Sequence, residues 1–287
     1  MKIIAHLNDY EIIDTANGDK LENWNGYTLR RPDAHAIGSV SDGRLWSRPD
    51  ASFKVVQGGP GTWQINTATP EPWFISYKRM KLKLALSPYK HTGVFPEQAP
   101  NWDWMGELIR QSKEPVRILN LFAYTGAASL VASKAGAQEV VHVEASKSIL
   151  QWAKENRDLN DMQDAHIRYI SEDALTFVQR ELKRGHTYHG ILMDPPAFGR
   201  GPKGEIWRFE DDIETLVTAC ALLLDPKPLF FLVNAYTDGF KENLMAELLK
   251  KTFRNVPKEI EVAALALPIK SKPEPLACGV TGRIVFK

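Results

Sequence analysis

The sequence predicts an α/β fold, in which a small β-rich domain precedes a mostly parallel sheet. From about residue 115, short apolar runs alternate with stretches of helical length, a pattern typical of parallel strands joined by helices. Before about residue 95, short apolar or aromatic runs lie between Gly, Pro, Asn and Asp, which is typical of short strands joined by turns. We therefore expect one domain over residues 1–95 and a second over residues 96–287.

In the first domain we expect strands at 27–29, 43–46, 53–56 and 62–65, and a longer one running from 73 toward 84. Four of the eight tryptophans lie in this domain, and we expect most of them in its core: Trp24, Trp46, Trp63 and Trp73.

In the second domain, five strands are expected at 116–121, 140–143, 167–170, 190–193 and 229–233. Helices are expected at 125–135, 147–159, 174–183, 211–224 and 240–250, and the chain finishes with apolar runs at 260–267 and 282–286. Ser146 is a candidate N-cap, and Gly136 and Gly185 are candidate helix stops.

The composition is ordinary for a globular protein and argues against several kinds of site and partner. The formal net charge is +1, so any contact with nucleic acid has to come from a local basic patch. Two cysteines without ligand spacing argue against a zinc site or a disulfide framework, and we expect no metal. The amino terminus has no secretory signal pattern, and no apolar run has membrane-spanning length. We expect a cytoplasmic protein that does not contact a membrane.

The pentapeptide Asp194-Pro195-Pro196-Ala197-Phe198 directly follows the expected strand at 190–193. Ligands bind open α/β sheets at the carboxyl ends of such strands. The prolines fix the backbone and remove two donors, which leaves carbonyls free to accept from a ligand. An acid, these carbonyls and an aromatic ring together suit a flat polar ring such as a nucleobase. A simple strand-to-loop turn is the alternative.

Other polar residues follow the neighbouring strands. The turn 122–126 leads into a helix, where free backbone N–H groups attract ligands, yet no G-x-G-x-x-G or P-loop pattern is present. Glu144 follows the second strand, where an acid can accept from both hydroxyls of a ribose. Glu172-Asp173-Ala174 follows the third, where a side chain could take an adenine amino group. Each acid alone could be a helix cap or a solvated charge, but their ordered recurrence favours a shared nucleoside site.

Taken in order, several motifs resemble the class I S-adenosylmethionine-dependent methyltransferases. They are 120–126, Val143-Glu144-Ala145-Ser146, Asp173 and the 194–198 pentapeptide. Residues 88–250 are most similar to the bacterial large-subunit ribosomal RNA methyltransferases that modify cytosine carbon-5 or guanine N7. Those enzymes carry a segment similar to 91–98 upstream of the catalytic domain. Residues 1–87 do not resemble the RNA-binding domain usually attached to the cytosine enzymes.

The resemblance implies a Rossmann-like sheet whose last strand is antiparallel, and S-adenosylmethionine as the cofactor. Under it, Glu144 would bind the ribose and Asp173 the adenine. The methionine end would be held by Phe122, Ala123, Tyr124, Thr125 and Gly126. Thr92, Gly93, Phe95 and Gln98 would close over the cofactor. The remaining expected cofactor contacts are Ala145, Ser146, Glu172, Ala174 and Asp194.

The chemistry of the methyl acceptor distinguishes the cytosine carbon-5 enzymes from the guanine N7 enzymes. Pyrimidine carbon-5 needs a cysteine nucleophile, which the cytosine enzymes place just after the fifth strand. Here that stretch begins with Asn234 and contains no cysteine. Cys220 is expected on an apolar helix face and Cys278 in a late loop. The similar guanine enzymes also carry asparagine after this strand, although Asn234 could equally mark a turn. A purine nitrogen is therefore favoured, with Asp194, Pro195, Pro196, Phe198 and Asn234 as the catalytic set.

Three basic segments could meet RNA phosphates. The first has no acidic residue between Glu71 and Glu97 and carries five cations: Lys78, Arg79, Lys81, Lys83 and Lys90. Lys81 and Lys83 would share one face of a strand, which is either a solvated face or a phosphate-binding stripe. Lys270 and Lys272 lie in a late loop. A third segment, which we expect to be a mobile basic loop, follows the proline pair and carries Arg200, Lys203 and Arg208.

Together these features predict a methyltransferase that acts on a nucleobase of RNA, with ribosomal RNA as the partner. A methyltransferase for a small molecule or a protein is the alternative that the near-neutral charge supports. A noncatalytic module that binds nucleosides or RNA is a third.

Overall fold

The computed structural model describes residues 2–56, 61–88, 90–256 and 258–287, which form two compact units. The smaller unit comprises Ile3–Pro100 and Leu265–Cys278. The larger unit consists mainly of Asn101–Ala264 and Gly279–Lys287. Part of the carboxyl-terminal region, 265–278, therefore belongs with the amino-terminal residues.

The first part of the chain contains mostly short strands. Its elements are β1 (Lys2–Ile4), β2 (Tyr10–Ala16), β3 (Asp19–Trp24), β4 (Tyr27–Pro32), α1 (Gly43–Trp46), β5 (Ala51–Lys54), β6 (Thr62–Ile65), β7 (Phe74–Tyr77), β8 (Met80–Lys83), a 3-10 helix (Pro96–Gln98) and α2 (Ala99–Gln111). Strands β2 to β6 form one sheet in chain order, and β7 and β8 form a hairpin.

Two of the strands expected in this part are wrong. Residues 43–46 form the short helix α1, because the Asp42 side chain accepts from the backbone N–H of Arg44 and caps it. The expected strand from 73 toward 84 is two strands, since Lys78 adopts a left-handed φ of 52° and turns the chain between β7 and β8.

The tryptophans of the smaller unit are divided between its core and its edge. Trp24 and Trp73 are buried, and the Trp73 indole donates to the Trp24 carbonyl at 3.0 Å. Trp46 and Trp63 are half-buried and donate to Asp14 and to the carbonyl of Ser87.

The larger unit alternates strands and helices. Its elements are β9 (Arg117–Leu121), α3 (Ala127–Lys134), β10 (Glu139–Val143), α4 (Lys147–Leu159), β11 (Ile167–Ile170), α5 (Ala174–Arg184), β12 (Gly190–Met193), β13 (Phe198–Arg200), β14 (Ile206–Arg208), α6 (Phe209–Ala221), β15 (Phe230–Ala235), α7 (Glu242–Thr252), β16 (Lys258–Leu267) and β17 (Leu276–Phe286).

The main sheet has eight strands in the order β1-β16-β17-β15-β12-β9-β10-β11. Strands β11, β10, β9, β12 and β15 pair in parallel, and β17 pairs antiparallel with β15. The expected α/β fold, with a mostly parallel sheet and an antiparallel last strand, is therefore confirmed.

Capping residues set the ends of two helices in the larger unit. Ser146 accepts from the backbone N–H of Ile149 at the start of α4, and Asp173 accepts from that of Thr176 at the start of α5. Helix α5 ends at Gly185, whose φ of 67° suits a residue without Cβ. No helix in the described part of the chain is long and apolar enough to span a membrane.

The close packing of β12 against its neighbours gives a first prediction. A Cβ on Gly190 would lie 2.6 Å from the Phe230 ring and 2.7 Å from Ile118 Cδ1. We expect Gly190→Ala to lower the free energy of unfolding by about 1–3 kcal/mol, measured by urea denaturation. Gly43→Ala, where the added Cβ meets open space, is the control and should change it by less than about 1 kcal/mol. Equal stability of the two variants would contradict the packing.

Candidate active site at the carboxyl edge of the sheet

The pairing register aligns the ends of five parallel strands. Leu121 of β9 is level with Val143 of β10 and Met193 of β12, which extends the line to Ile170 of β11 and Val233 of β15. The residues that come next share one edge of the sheet: Phe122, Glu144, Ser171, Asp194 and Asn234. The polar strand ends expected to meet are therefore brought together by the hydrogen bonds of the sheet.

The turn after β9 has an unusual backbone. Phe122, Tyr124 and Gly126 all adopt left-handed φ angles, of 52°, 51° and 90°. A residue with a Cβ rarely takes this conformation, and such residues cluster at ligand sites, where surrounding contacts hold them in place. The N–H groups of Ala123, Tyr124 and Gly126 are engaged within the protein, so the expectation of free donors is wrong at these three positions.

A buried polar network packs behind this turn. The Asn120 amide donates to Ser129 Oγ at 2.9 Å, and Ser129 Oγ hydrogen-bonds His142 Nδ1 at 3.0 Å. The Asn156 amide donates to the Thr125 carbonyl at 2.9 Å. All four of these side chains are buried. Burial lowers the pKa of His142 to about 3, so its imidazole is neutral.

Glu144 connects the end of β10 to the turn. Its Oε2 accepts from the Tyr124 N–H at 3.0 Å and its Oε1 accepts from the Ser146 N–H at 2.9 Å. The Ala145 N–H is a third backbone donor to this carboxylate. Since a carboxylate can accept about four hydrogen bonds, Glu144 has capacity for one ligand hydroxyl. Burial raises the pKa of Glu144, whereas these backbone donors lower it.

The polar pair after β11 is divided between two roles. Asp173 Oδ1 caps α5 through the Thr176 N–H at 2.9 Å, which leaves Oδ2 for a further donor. Glu172 accepts from Arg180 at 2.6 Å, so it forms an ion pair within the protein. Ala174 is buried in the first turn of α5, and Ala145 and Ser146 are half-buried between β10 and α4.

The pentapeptide after β12 is partly engaged within the protein. Asp194 is half-buried, Pro195 is buried, and Pro196, Ala197 and Phe198 are exposed. The carbonyls of Pro196 and Ala197 were expected to be free. Instead, the Pro196 carbonyl accepts from the Trp207 indole at 2.7 Å and the Ala197 carbonyl accepts from the Phe209 N–H at 3.0 Å. The Asp194 carboxylate and the Pro195 carbonyl are two further acceptor groups of this segment at the end of β12.

The segment after the proline pair was expected to be a mobile loop, and this is wrong. It forms the hairpin β13–β14, in which Phe198 pairs with Arg208 and Arg200 pairs with Ile206. Trp207 fixes the hairpin, because its ring is buried against Phe122 at a centroid distance of 4.9 Å. Trp207 was not among the predicted site residues, since its partners lie far from it in sequence.

Asn234 lies inside β15 rather than in a turn. It is buried, and its Oδ1 accepts from the Asn101 amide at 3.0 Å. Asn101 Oδ1 in turn accepts from Arg283 Nε at 2.8 Å and from Thr281 at 3.3 Å. Asn234 is thus part of a buried polar chain that joins α2, β15 and β17, which the sequence pattern did not indicate.

The segment 92–98 lies in the smaller unit. Thr92 is buried, and its hydroxyl has no hydrogen-bond partner among the described residues. Residues Pro96–Gln98 form the buried 3-10 helix, and burial raises the pKa of Glu97. The Phe95 ring packs edge-on against His91. Contact of Thr92, Gly93, Phe95 and Gln98 with a cofactor stays a prediction.

Neither cysteine suits nucleophilic chemistry. Cys220 is fully buried in α6, and burial raises its pKa. Cys278 lies in β17 rather than in the expected loop, and burial, followed by the nearby Glu97, raises its pKa well above the ordinary range. Since the thiolate is the nucleophile, both side chains are held in the unreactive form.

Comparison with known proteins identifies the family. The sequence model of the S-adenosylmethionine-dependent methyltransferase family matches residues 46–258. A SAM-dependent methyltransferase of known structure from Agrobacterium tumefaciens is 37% identical, with a TM-score of 0.94 over 100% of this chain and 93% of that one. The chain therefore belongs to the S-adenosylmethionine-dependent methyltransferases, and its cofactor is S-adenosylmethionine.

Further relatives are similar over smaller parts of their length. A ribosomal RNA large subunit methyltransferase K/L from Shewanella sp. (strain MR-4) is 36% identical over 126 residues, or 44% of this chain and 17% of that protein. The protein of the same name from Ectopseudomonas mendocina (strain ymp) is 29% identical over 244 residues, or 84% of this chain and 32% of that protein. A methyltransferase-like structure solved with SAH shares the fold, with a TM-score of 0.77 at 17% identity over 97% of this chain and 76% of that one.

The neutral His142 predicts a loss of stability in acid. The folded pKa of about 3 lies below the ordinary imidazole value of about 6.5, so between these values the unfolded chain binds a proton that the folded chain does not. The free energy of unfolding should fall with decreasing pH by up to about 1.4 kcal/mol per pH unit from this group. Between pH 6.5 and 5, the free energy of unfolding measured in urea should therefore fall by about 1.6 kcal/mol less in His142→Leu than in the wild type. Equal losses would show that His142 is not a neutral buried group.

Proposed function

We propose that the protein transfers the methyl group of S-adenosylmethionine to a purine nitrogen of RNA, with ribosomal RNA as the substrate. The observation that carries this proposal is the alignment of Glu144 and Asp194 on either side of the turn after β9. This alignment supports Glu144 as the acid that binds the nucleoside of the cofactor and Asp194 as the acceptor that binds the substrate base. The names of the curated relatives support the RNA substrate.

We propose the cofactor-binding acids from the hydrogen bonds that each can still accept. Glu144 has three backbone donors and can accept one ribose hydroxyl in addition. Asp173 Oδ2 can accept from the adenine amino group. The left-handed turn from Phe122 to Gly126 forms a surface for the methionine end, with Ala145, Ser146 and Ala174 beside the nucleoside. When bound, S-adenosylmethionine supplies an electrophilic methyl group on a sulfonium.

The acceptor base is proposed to bind at the segment 194–198. The Asp194 carboxylate and the Pro195 carbonyl can accept from an exocyclic amine or a ring N–H, and the exposed Phe198 ring can stack on a base. Pro196 holds the platform through its bond to Trp207. Asn234 positions the strand end through Asn101, so we assign it a structural part in this set.

Positioning supplies most of the rate in this scheme. Guanine N7 has no proton to lose, and an exocyclic amine loses its proton only after attack, so neither acceptor needs a covalent nucleophile. Holding the nitrogen in line with the methyl group is then the main task of the protein. Pyrimidine carbon-5 is disfavoured, because the pKa values of Cys220 and Cys278 are both raised.

A methyltransferase for a small molecule or a protein is the second candidate, favoured by the formal net charge of +1. Mass spectrometry of RNA nucleosides from cells with and without this protein distinguishes the two. We expect one methylated purine to be missing without the protein. Unchanged RNA, together with transfer of labelled methyl groups to a metabolite or protein extract, would overturn the proposal. Cofactor binding without any transfer would instead support a noncatalytic module.

Substitution of Glu144 tests the ribose contact. Loss of one hydrogen bond to a charged acceptor, at about 1.5–3 kcal/mol, should make Glu144→Ala bind S-adenosylhomocysteine at least about tenfold more weakly in calorimetry. Glu144→Gln keeps one oxygen acceptor and should lose less. Since burial raises the pKa of Glu144, wild-type affinity should fall in mild acid. Tight binding by the alanine variant would refute the contact.

Substitution of Asp194 tests the acceptor platform. Misplacement of the base should lower kcat of Asp194→Ala about 100-fold, measured as methyl transfer to RNA from cells that lack the protein. Its affinity for S-adenosylhomocysteine should change by less than tenfold, and Asp194→Asn should keep part of the activity. A variant that loses cofactor affinity and activity in parallel would show that Asp194 serves the cofactor alone.

A further inference from the structure

The hairpin β13–β14 presents two chemically different faces. In antiparallel pairing, side chains alternate between the faces, so Phe198, Arg200, Ile206 and Arg208 share one side. All four are exposed, and we call them the outer face of the hairpin. Gly199 and Trp207 are paired on the inner face, where Trp207 is buried.

The outer face alternates apolar and cationic groups. Phe198 lies directly opposite Arg208, whose guanidinium is 5.5 Å from the centre of its ring, and Arg200 lies opposite Ile206. Phe198 is 50% exposed and Ile206 is 55% exposed, which is unusual for large apolar side chains. A hairpin that served only to connect β12 to α6 would not need an apolar group and a cation in each of these cross-strand pairs.

The charge of the hairpin is unbalanced. Three cations lie between residues 198 and 208, and the one acid among them, Glu205, accepts from the backbone N–H of Lys203. The side chains of Arg200 and Lys203 have no ion-pair partner in the described parts of the chain. A partner that neutralises them has to carry anionic groups at close intervals, as a nucleic acid backbone does.

Three lysines of the other basic segments make contacts within the protein. Lys270 pairs with Glu11 at 3.1 Å, and Lys272 donates to the Thr15 carbonyl. Lys81 lies on the exposed side of β8, but its ammonium is 4.9 Å from the centre of the Phe74 ring. Arg208 of the hairpin has a comparable ring contact with Phe198, so ring contacts do not separate the two segments. The hairpin is favoured for a phosphate contact because it follows the acceptor platform directly in the chain.

We propose that the outer face of the hairpin binds a single-stranded segment of RNA that adjoins the methylated base. Arg200 and Arg208 on this face, together with Lys203 in the turn of the hairpin, bind its phosphates, while Phe198 and Ile206 pack against its unpaired bases. Base faces are open to side chains in single strands and closed by stacking in a duplex, so the substrate segment is unpaired. This inference rests on the proposed function, since it takes RNA as the substrate.

The experiment compares binding of a fluorescein-labelled purine-rich 20-mer RNA, single-stranded or as a duplex, by the full chain at several salt concentrations. Loss of two phosphate contacts in Arg200→Ala/Lys203→Ala should weaken single-strand binding at least tenfold and reduce the slope of log affinity against log salt by about 1.4. Ile206→Ser should weaken binding about threefold to tenfold without changing the slope. Lys227→Ala/Arg254→Ala removes the same charge from other exposed positions and should match the wild type.

Methyl transfer to RNA from cells that lack the protein is measured in parallel, together with calorimetric binding of S-adenosylhomocysteine. The hairpin variants should raise KM for RNA and leave cofactor affinity unchanged. If the wild type methylates RNA and the hairpin variants retain its KM and its salt slope, the inference is overturned while the proposed function stands. Stronger binding of the duplex than of the single strand would also overturn it. If the wild type binds cofactor but transfers no methyl group to RNA, the proposed function fails, and the inference fails with it.

Discussion

The register of the parallel strands is the constraint on which the rest of the site depends. Because Leu121, Val143 and Met193 lie on one line, the next residue of each strand reaches the same edge of the sheet. A shift of one residue between β9 and β10 would turn the alternating side chains to the opposite face and separate Glu144 from Tyr124. The backbone hydrogen bonds of the sheet therefore set the spacing between Glu144 and Asp194, and the loops after the strands add the remaining residues of the site.

The turn after β9 costs conformational energy that the surrounding structure has to offset. Two residues with a Cβ, Phe122 and Tyr124, are held at left-handed φ angles, at about 1–3 kcal/mol each. Glu144 holds the turn from one side through the Tyr124 N–H, and Asn156 holds it from behind through the Thr125 carbonyl. The same carboxylate that shapes the turn also retains acceptor capacity, so the geometry of the turn and its ligand chemistry depend on one side chain.

Much of the fold could be predicted from the sequence, because its signals are local. The buried strand at 190–193 is a continuous apolar run, and Ser146 and Gly185 mark a helix start and a helix end by their own chemistry. The strand ends that carry Glu144 and Asp194 follow from the same signals. Contacts distant in sequence could not be predicted. The hairpin after the prolines is fixed by Trp207 against Phe122, and Asn234 is held by Asn101, so no short window contains either pair.

Trp207 joins the two regions to which we assign the cofactor and the acceptor base under the proposed function. Its indole N–H is bonded to the Pro196 carbonyl, and its ring packs against Phe122 at the start of the turn after β9. A single rigid side chain thus connects the segment that follows β12 with the one that follows β9. Displacement of either segment moves the other, and such coupling is reciprocal in free energy. Under the proposed function, Trp207 therefore couples the release of the two products, since departure of one changes the binding of the other.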